Sequence, residues 1–286
     1  MANTVVISCD STADLSPELI EKYHIQVFHL PIVKGGQTLR DGLEITTSDI
    51  FEYKQKTGNL VTTSAPNIAE CEEYFDSICG SDDGLIHFDI SGEMSSTFAN
   101  ARAAAADRSN AYIIDSRNLS TGIGLLVLRA CELRDEGKSA GEIADEIQTL
   151  IPRVDTSFVL DTLEYMHKGG RCSSVAALGA NLLKLKPCIE VKNGKMDVVK
   201  KYRGKLTDVL TAYVADRLHH PEDIDTNRIF ITHTCQDPAY FELVRQAVLQ
   251  KVPFKEVLNT TAGCSVSVHC GPNTLGILFI RKTPLQ

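Results

Sequence analysis

Three short apolar runs among the first hundred residues each stop at a cluster of small hydroxyl side chains. Val5-Val6-Ile7 leads into Ser8-Cys9-Asp10-Ser11-Thr12, Leu60-Val61 into Thr62-Thr63-Ser64, and Leu85-Ile86-His87-Phe88 into Ser91-Gly92-Glu93-Met94-Ser95-Ser96-Thr97. Runs this short and apolar read as buried strands, and in α/β proteins the loops after parallel strands converge on one ligand crevice. The clusters are therefore expected to form one polar patch at one edge of a sheet. Hydroxyls that open helices donate hydrogen bonds beside unpaired backbone N–H groups and the positive end of the helix dipole, which suits a carboxylate or a phosphate. Ser and Thr in such places also act simply as N-caps and turn formers. Three such loops together, not any one of them, mark a site.

The same alternation sets the domain plan. At 286 residues the chain exceeds the usual single core, so two domains are expected. A strand at residues 4–8 is followed by helices opening at Ser16-Pro17-Glu18, Ser48-Asp49 and Asn67, the second stopping near Gly58 and the third placing Cys71 and Phe75 on its apolar face. Strands at 85–89 and 111–114 alternate with helices from Ser95 and over 122–136, and Ser139-Ala140-Gly141-Glu142 is a capping box. This pattern predicts a mainly parallel βα domain over residues 1–155, with the boundary in the stretch 152–156. The second half, residues 156–286, reads as an α+β domain with an antiparallel sheet. It holds an Asn193-Gly194 hairpin, helices over 206–218 and 238–251, a strand over 228–232, and β-rich runs at 264–269 and 275–281. The ligand is expected in the crevice between the domains. Val175, Leu178, Leu182 and Leu183 form an apolar stripe that reads as ordinary core.

Composition excludes several classes. The net charge is −8, the basic residues are scattered (Lys184, Lys186 and Lys200-Lys201 are the densest group), and there is no Trp, so no nucleic-acid partner is expected. Nothing approaches the roughly 18 consecutive apolar residues of a membrane span. Nine Cys without a C-x-x-C, and a start that runs directly into a strand, point to free thiols in a reducing cytoplasm. Cys264, His269 and Cys270 are too small a set for a metal, and none is expected. There is no G-x-S-x-G, no phosphate-binding P-loop and no G-x-G-x-x-G, so no nucleotide cofactor is expected. Two other readings stay open: a lipid or ester hydrolase using Ser95 and His269 with Asp10 or Asp115 as orienter, and a small-molecule or phosphate sensor using the hydroxyl loops.

Asp10-Ser11-Thr12-Ala13-Asp14-Leu15, Thr63-Ser64-Ala65-Pro66, Ile90-Ser91 with Ser95-Ser96-Thr97, Asp115-Ser116, Leu163-Glu164-Tyr165 with Lys168-Gly169-Gly170-Arg171, and His269-Cys270-Gly271-Pro272 occur in one order. As an ordered set, from about residue 4 to about residue 281, they resemble the DegV family of bacterial fatty-acid-binding proteins. The resemblance implies two α/β-type domains holding one long-chain fatty acid in a buried tunnel, with no cofactor. It also implies a fatty acid kinase as partner, which would convert the presented carboxylate to an acyl phosphate, and an acyltransferase that passes the acyl group to phospholipid synthesis. By the same resemblance Thr63, Ser95 and His269 would bind the carboxylate, with Ser64, Ser96, Thr97, Arg171 and Arg203 supporting it or facing the partner. Ala65 stands where Gln is common, Ser96 where Gly is common, and Cys270 and Asn273 alter the usual H-T-G-P-G turn.

Overall fold

The computed structural model describes residues 4–80, 83–177 and 185–285, so Leu178, Leu182, Leu183 and Lys184 lie outside the described residues. The first seven strands are β1 (Val5–Asp10), β2 (Gln26–Phe28), β3 (Pro31–Lys34), β4 (Gln37–Arg40), β5 (Thr62–Thr63), β6 (Gly84–Asp89) and β7 (Ala111–Asp115). Four of them form a parallel sheet in the order β2-β1-β6-β7. Its two middle strands are covered by helices, which is why they read as unbroken apolar runs: Ile7, Ile86 and Phe88 are fully buried.

The expected helices form where their caps are strongest. Asn67 with Glu70 and Ser139 with Glu142 make reciprocal capping boxes. The helix expected at Ser48-Asp49 begins at Thr47, because the Thr46 side chain takes the N–H of Asp49 while the Asp49 carboxylate takes the N–H of Thr46.

One strand assignment is corrected. Leu60-Val61 is not a parallel strand: Thr62 and Thr63 pair antiparallel with β3 in a separate sheet of order β4-β3-β5. Val61 is buried there beside Ile32, Ile45 and Ile50. The second hydroxyl cluster therefore reaches the site from a different sheet.

The remaining strands are β8 (Val154–Val159), β9 (Lys186–Lys192), β10 (Lys195–Tyr202), β11 (Ile224–His233), β12 (Glu256–Thr261) and β13 (Leu275–Arg281). They form one sheet of order β10-β9-β8-β13-β11-β12. It is mixed, not wholly antiparallel: β11 and β12 run parallel, joined by the crossover helix Pro238–Lys251. The β9–β10 hairpin turns on Asn193 (φ 52°) and Gly194 (φ 80°), the left-handed pair that an Asn-Gly turn requires. Its tip docks on the first half of the chain: Ser91 donates to the carbonyl of Gly194 at 2.8 Å, and Arg117 donates to that of Asn193.

The two large sheets share one core. Helix Thr121–Asp135 is buried on nearly all sides, and its cluster takes in Ile7 and Ile86 from the parallel sheet together with Phe230 and Leu278 from the mixed one.

The run Cys264–His269, expected as a strand, is a helix, Cys264–Cys270. Ser-Val-Ser-Val alternates with period two, but two buried acids from the first fifty residues hold its N-terminus. Asp14 accepts from the N–H of Gly263 at 2.8 Å, and Asp41 from those of Cys264 and Ser265 at 2.9 and 3.0 Å. Carboxyl oxygens that accept from otherwise unpaired helical N–H groups outweigh a weak local preference.

Candidate functional site

A cavity of about 410 Å³ opens where the loop after β6, the β5 segment, helix Cys264–Cys270, helix Glu164–Gly169 and the β9–β10 hairpin meet. Its polar lining gathers Thr63, Ser64, Ser95, Ser96, Thr97, Arg171 and His269, together with Thr12 from the loop after β1. Its apolar lining includes Ile90, Met94, Leu119, Met166, Met196 and Val266. A hydrocarbon body with a polar end fits such a division.

Each polar group is placed by its own local structure. Thr63 is set by β5, where it pairs with Ile32. Ser95 Oγ lies 2.8 Å from Thr97 Oγ1 and accepts the N–H of Thr97, at the entry to helix Thr97–Ala104. Asp10 lies behind them, accepting from the N–H and hydroxyl of Thr12 and, on its other oxygen, from the N–H of Ile90 at 2.8 Å. The first and third hydroxyl clusters are thus joined through one carboxyl group.

His269 occupies the last turn of its helix, not a strand end. Its Nε2 lies 3.4 Å from Thr63 Oγ1, and its Nδ1 has no hydrogen-bond partner among the described residues. Burial, helped by the nearby positive charge of Arg171, lowers its pKa to about 4, so the ring is neutral near pH 7. The helix ends at Gly271, whose φ of +74° and close approach to the Tyr165 ring leave no room for a side chain.

Arg203 stands apart from the cavity. It follows the end of β10 as an exposed residue and does not line the cavity. Arg171 lines the mouth, and its Nη1 donates to the carbonyl of Gly169 at 2.7 Å.

Neither proposed orienter reaches His269. Asp10 holds Thr12 and Ile90, while Asp115 accepts from the N–H groups of Gly92 and Arg117. Among the described residues no cluster of His, Cys, Asp or Glu could hold a metal, and no helix is long and apolar enough to cross a membrane.

One lining residue escaped the sequence reading. Ser265 is buried, its hydroxyl has no partner among the described residues, and it stands one helical turn before His269. Only the spacing of four would have linked the pair, and that spacing is visible only once the run is known to be a helix.

Fold and cavity together define an α/β protein of two large sheets and one small one, with a chamber lined by both hydroxyl and apolar side chains. Residues 4–282 match the family model described as "Uncharacterised protein, DegV family", and the chain belongs to the DegV family. It is 27% identical over 281 residues to a DegV domain-containing protein of Caldanaerobacter subterraneus, covering 97% of this chain and 99% of that one. Among solved structures it resembles a fatty-acid-binding DegV family protein from Thermus thermophilus, at TM-score 0.87 and 28% identity, covering 97% and 99% of the two chains. It also resembles DegV, a fatty acid binding protein from Bacillus subtilis, at TM-score 0.83 and 26% identity, covering 98% and 100%.

Proposed function

We propose that this protein binds one long-chain fatty acid, with the tail in the apolar chamber and the carboxylate among Thr63, Ser95, Ser265 and His269. It then presents that carboxylate, in the cytoplasm, to a separate fatty acid kinase. The observation that carries this reading is the gathering of hydroxyl, imidazole and guanidinium groups from distant segments around one cavity of about 410 Å³ that apolar side chains also line. With a domain division at residues 155 and 156, Thr63 and Ser95 come from one domain, and Arg171 and His269 from the other.

The energetics support the reading. Burying roughly 14 methylenes contributes at most about 11 kcal/mol, at about 0.8 kcal/mol each, before ordering costs. A buried carboxylate without partners would cost several kcal/mol, and the donor cluster offsets this. The kinase would form an acyl phosphate from ATP, and an acyltransferase would carry the acyl group to phospholipid synthesis. This chain needs no cofactor for either part. The hydrolase alternative lacks its geometry, since the Ser95 hydroxyl engages Thr97 and, among the described residues, no carboxylate orients His269.

Organic extraction of purified protein followed by mass spectrometry tests the reading. Acyl chains support it, whereas phosphorylated metabolites would replace it with the sensor. For the kinase step, His269→Ala is expected to keep appreciable fatty-acid binding and to lower acyl-phosphate formation when kinase and ATP are supplied. Normal phosphorylation in that variant would remove His269 from head-group handling.

A further inference from the structure

The chain contains four methionines, and the three that follow Met1 all line the same cavity. They arrive from separate elements: Met94 from the loop after β6, Met166 from helix Glu164–Gly169, and Met196 from β10. Met166 and Met196 are buried in the apolar cluster around Leu119 and Val266, and Met94 packs against that cluster from its half-buried position.

Methionine is unbranched, turns about three side-chain bonds and carries a polarizable sulfur, so it refills gaps that Leu, Ile or Val leave open. Surfaces that accept varied partners use it for this reason. A tunnel walled only by branched residues selects one tail shape. A methionine wall follows the tail.

We propose that Met94, Met166 and Met196 make the tail chamber adjustable, so that it accepts straight saturated and kinked cis-unsaturated acyl chains with similar affinity. The inference rests on the fatty-acid reading above and adds a substrate range to it.

The test uses full-length delipidated protein carrying ¹³C-methyl methionine, loaded with palmitate or with oleate. Met→Leu substitutions, one at a time, assign the signals. The methyl signals of Met94, Met166 and Met196 are expected to take different positions in the two complexes, and an equimolar mixture is expected to load within about threefold of parity. The triple variant Met94→Leu/Met166→Leu/Met196→Leu, which nearly conserves volume, is expected to move the loading ratio by about fivefold or more. Methyl positions identical in both complexes, or an unchanged ratio in the variant, would overturn the proposal. If the triple variant fails to fold, Met196→Leu and Met94→Leu read the same ratio singly. Failure of both fatty acids to bind the unsubstituted protein sinks the fatty-acid reading itself, a result distinct from binding with strong selectivity for one tail shape.

Discussion

The carboxylate of Asp41 accepts the backbone N–H of Cys264 at 2.9 Å, across 223 positions of sequence. Its other oxygen accepts from Ser265 and from the Ser11 hydroxyl, both at 3.0 Å. Asp41 therefore anchors the helix whose far end carries His269.

Asp41→Ala is expected to destabilise the protein by about 2–4 kcal/mol, because two buried backbone N–H groups and the half-buried Ser11 hydroxyl lose their acceptor. Asp41→Asn, which keeps one acceptor oxygen, should fall between it and the native protein. Urea unfolding measures the first effect, and fatty-acid titration should show a weaker site in step with it.

Gly169 tests the position of the imidazole directly. A methyl group there would fall against Nδ1 of His269, with Cε1 and Cγ at 3.2 and 3.3 Å. Gly→Ala in a helix ordinarily gains about 0.5–1 kcal/mol. Here Gly169→Ala should instead displace the ring and weaken fatty-acid binding by about tenfold, the effect of one lost hydrogen bond. A higher melting temperature with unchanged affinity would show that binding does not need the ring where it stands.

Thr63→Ala combined with Ser95→Ala should weaken binding without unfolding the protein, by about 1.5–3 kcal/mol for each hydrogen bond to the charged carboxylate. Adding Ser265→Ala should weaken it further, since that hydroxyl has no other partner to lose. Calorimetric titration of the delipidated variants checks both, and unchanged affinity would remove these hydroxyls from the site.

Acid should act on two buried groups with opposite sign. The folded protein holds His269 near a pKa of about 4 against an ordinary 6.5. Unfolded chains therefore bind the extra proton, and this group lowers stability as the pH falls from about 6.5 to 4, by about 3 kcal/mol at most. Asp10 is raised from 3.8 to about 7 by burial and by the neighbouring Asp89. Its contribution is fully present below 3.8 and is lost as the pH rises through about 7. His269→Gln should flatten the acid limb of a stability–pH curve, and Asp10→Asn the limb approaching neutrality. A curve unchanged in either variant would contradict the corresponding assignment.

Much of this was legible in the order of residues. The apolar runs of β1, β6 and β7, the capping boxes at Asn67 and Ser139, and the Asn193-Gly194 turn all carry their structure locally. Helix Cys264–Cys270 does not, because its cause lies at Asp14 and Asp41, and so the pairing of Ser265 with His269 stayed hidden as well. The strands β2 to β4 are three or four residues each, too short to show a period.

The order of the mixed sheet bears on how the protein is made. β13 follows β8 by more than a hundred positions yet lies beside it in the interior of that sheet, pairing with β8 through Leu275 and Val159 and with β11 through Leu275 and His233. Until residues 275–281 leave the ribosome, β8 and β11 each present an unpaired edge, a template for pairing with other chains. The parallel sheet can pair before that point, whereas the mixed sheet stays in two pieces until β13 is made. Truncation before residue 275 would remove the strand that joins the two halves of the sheet.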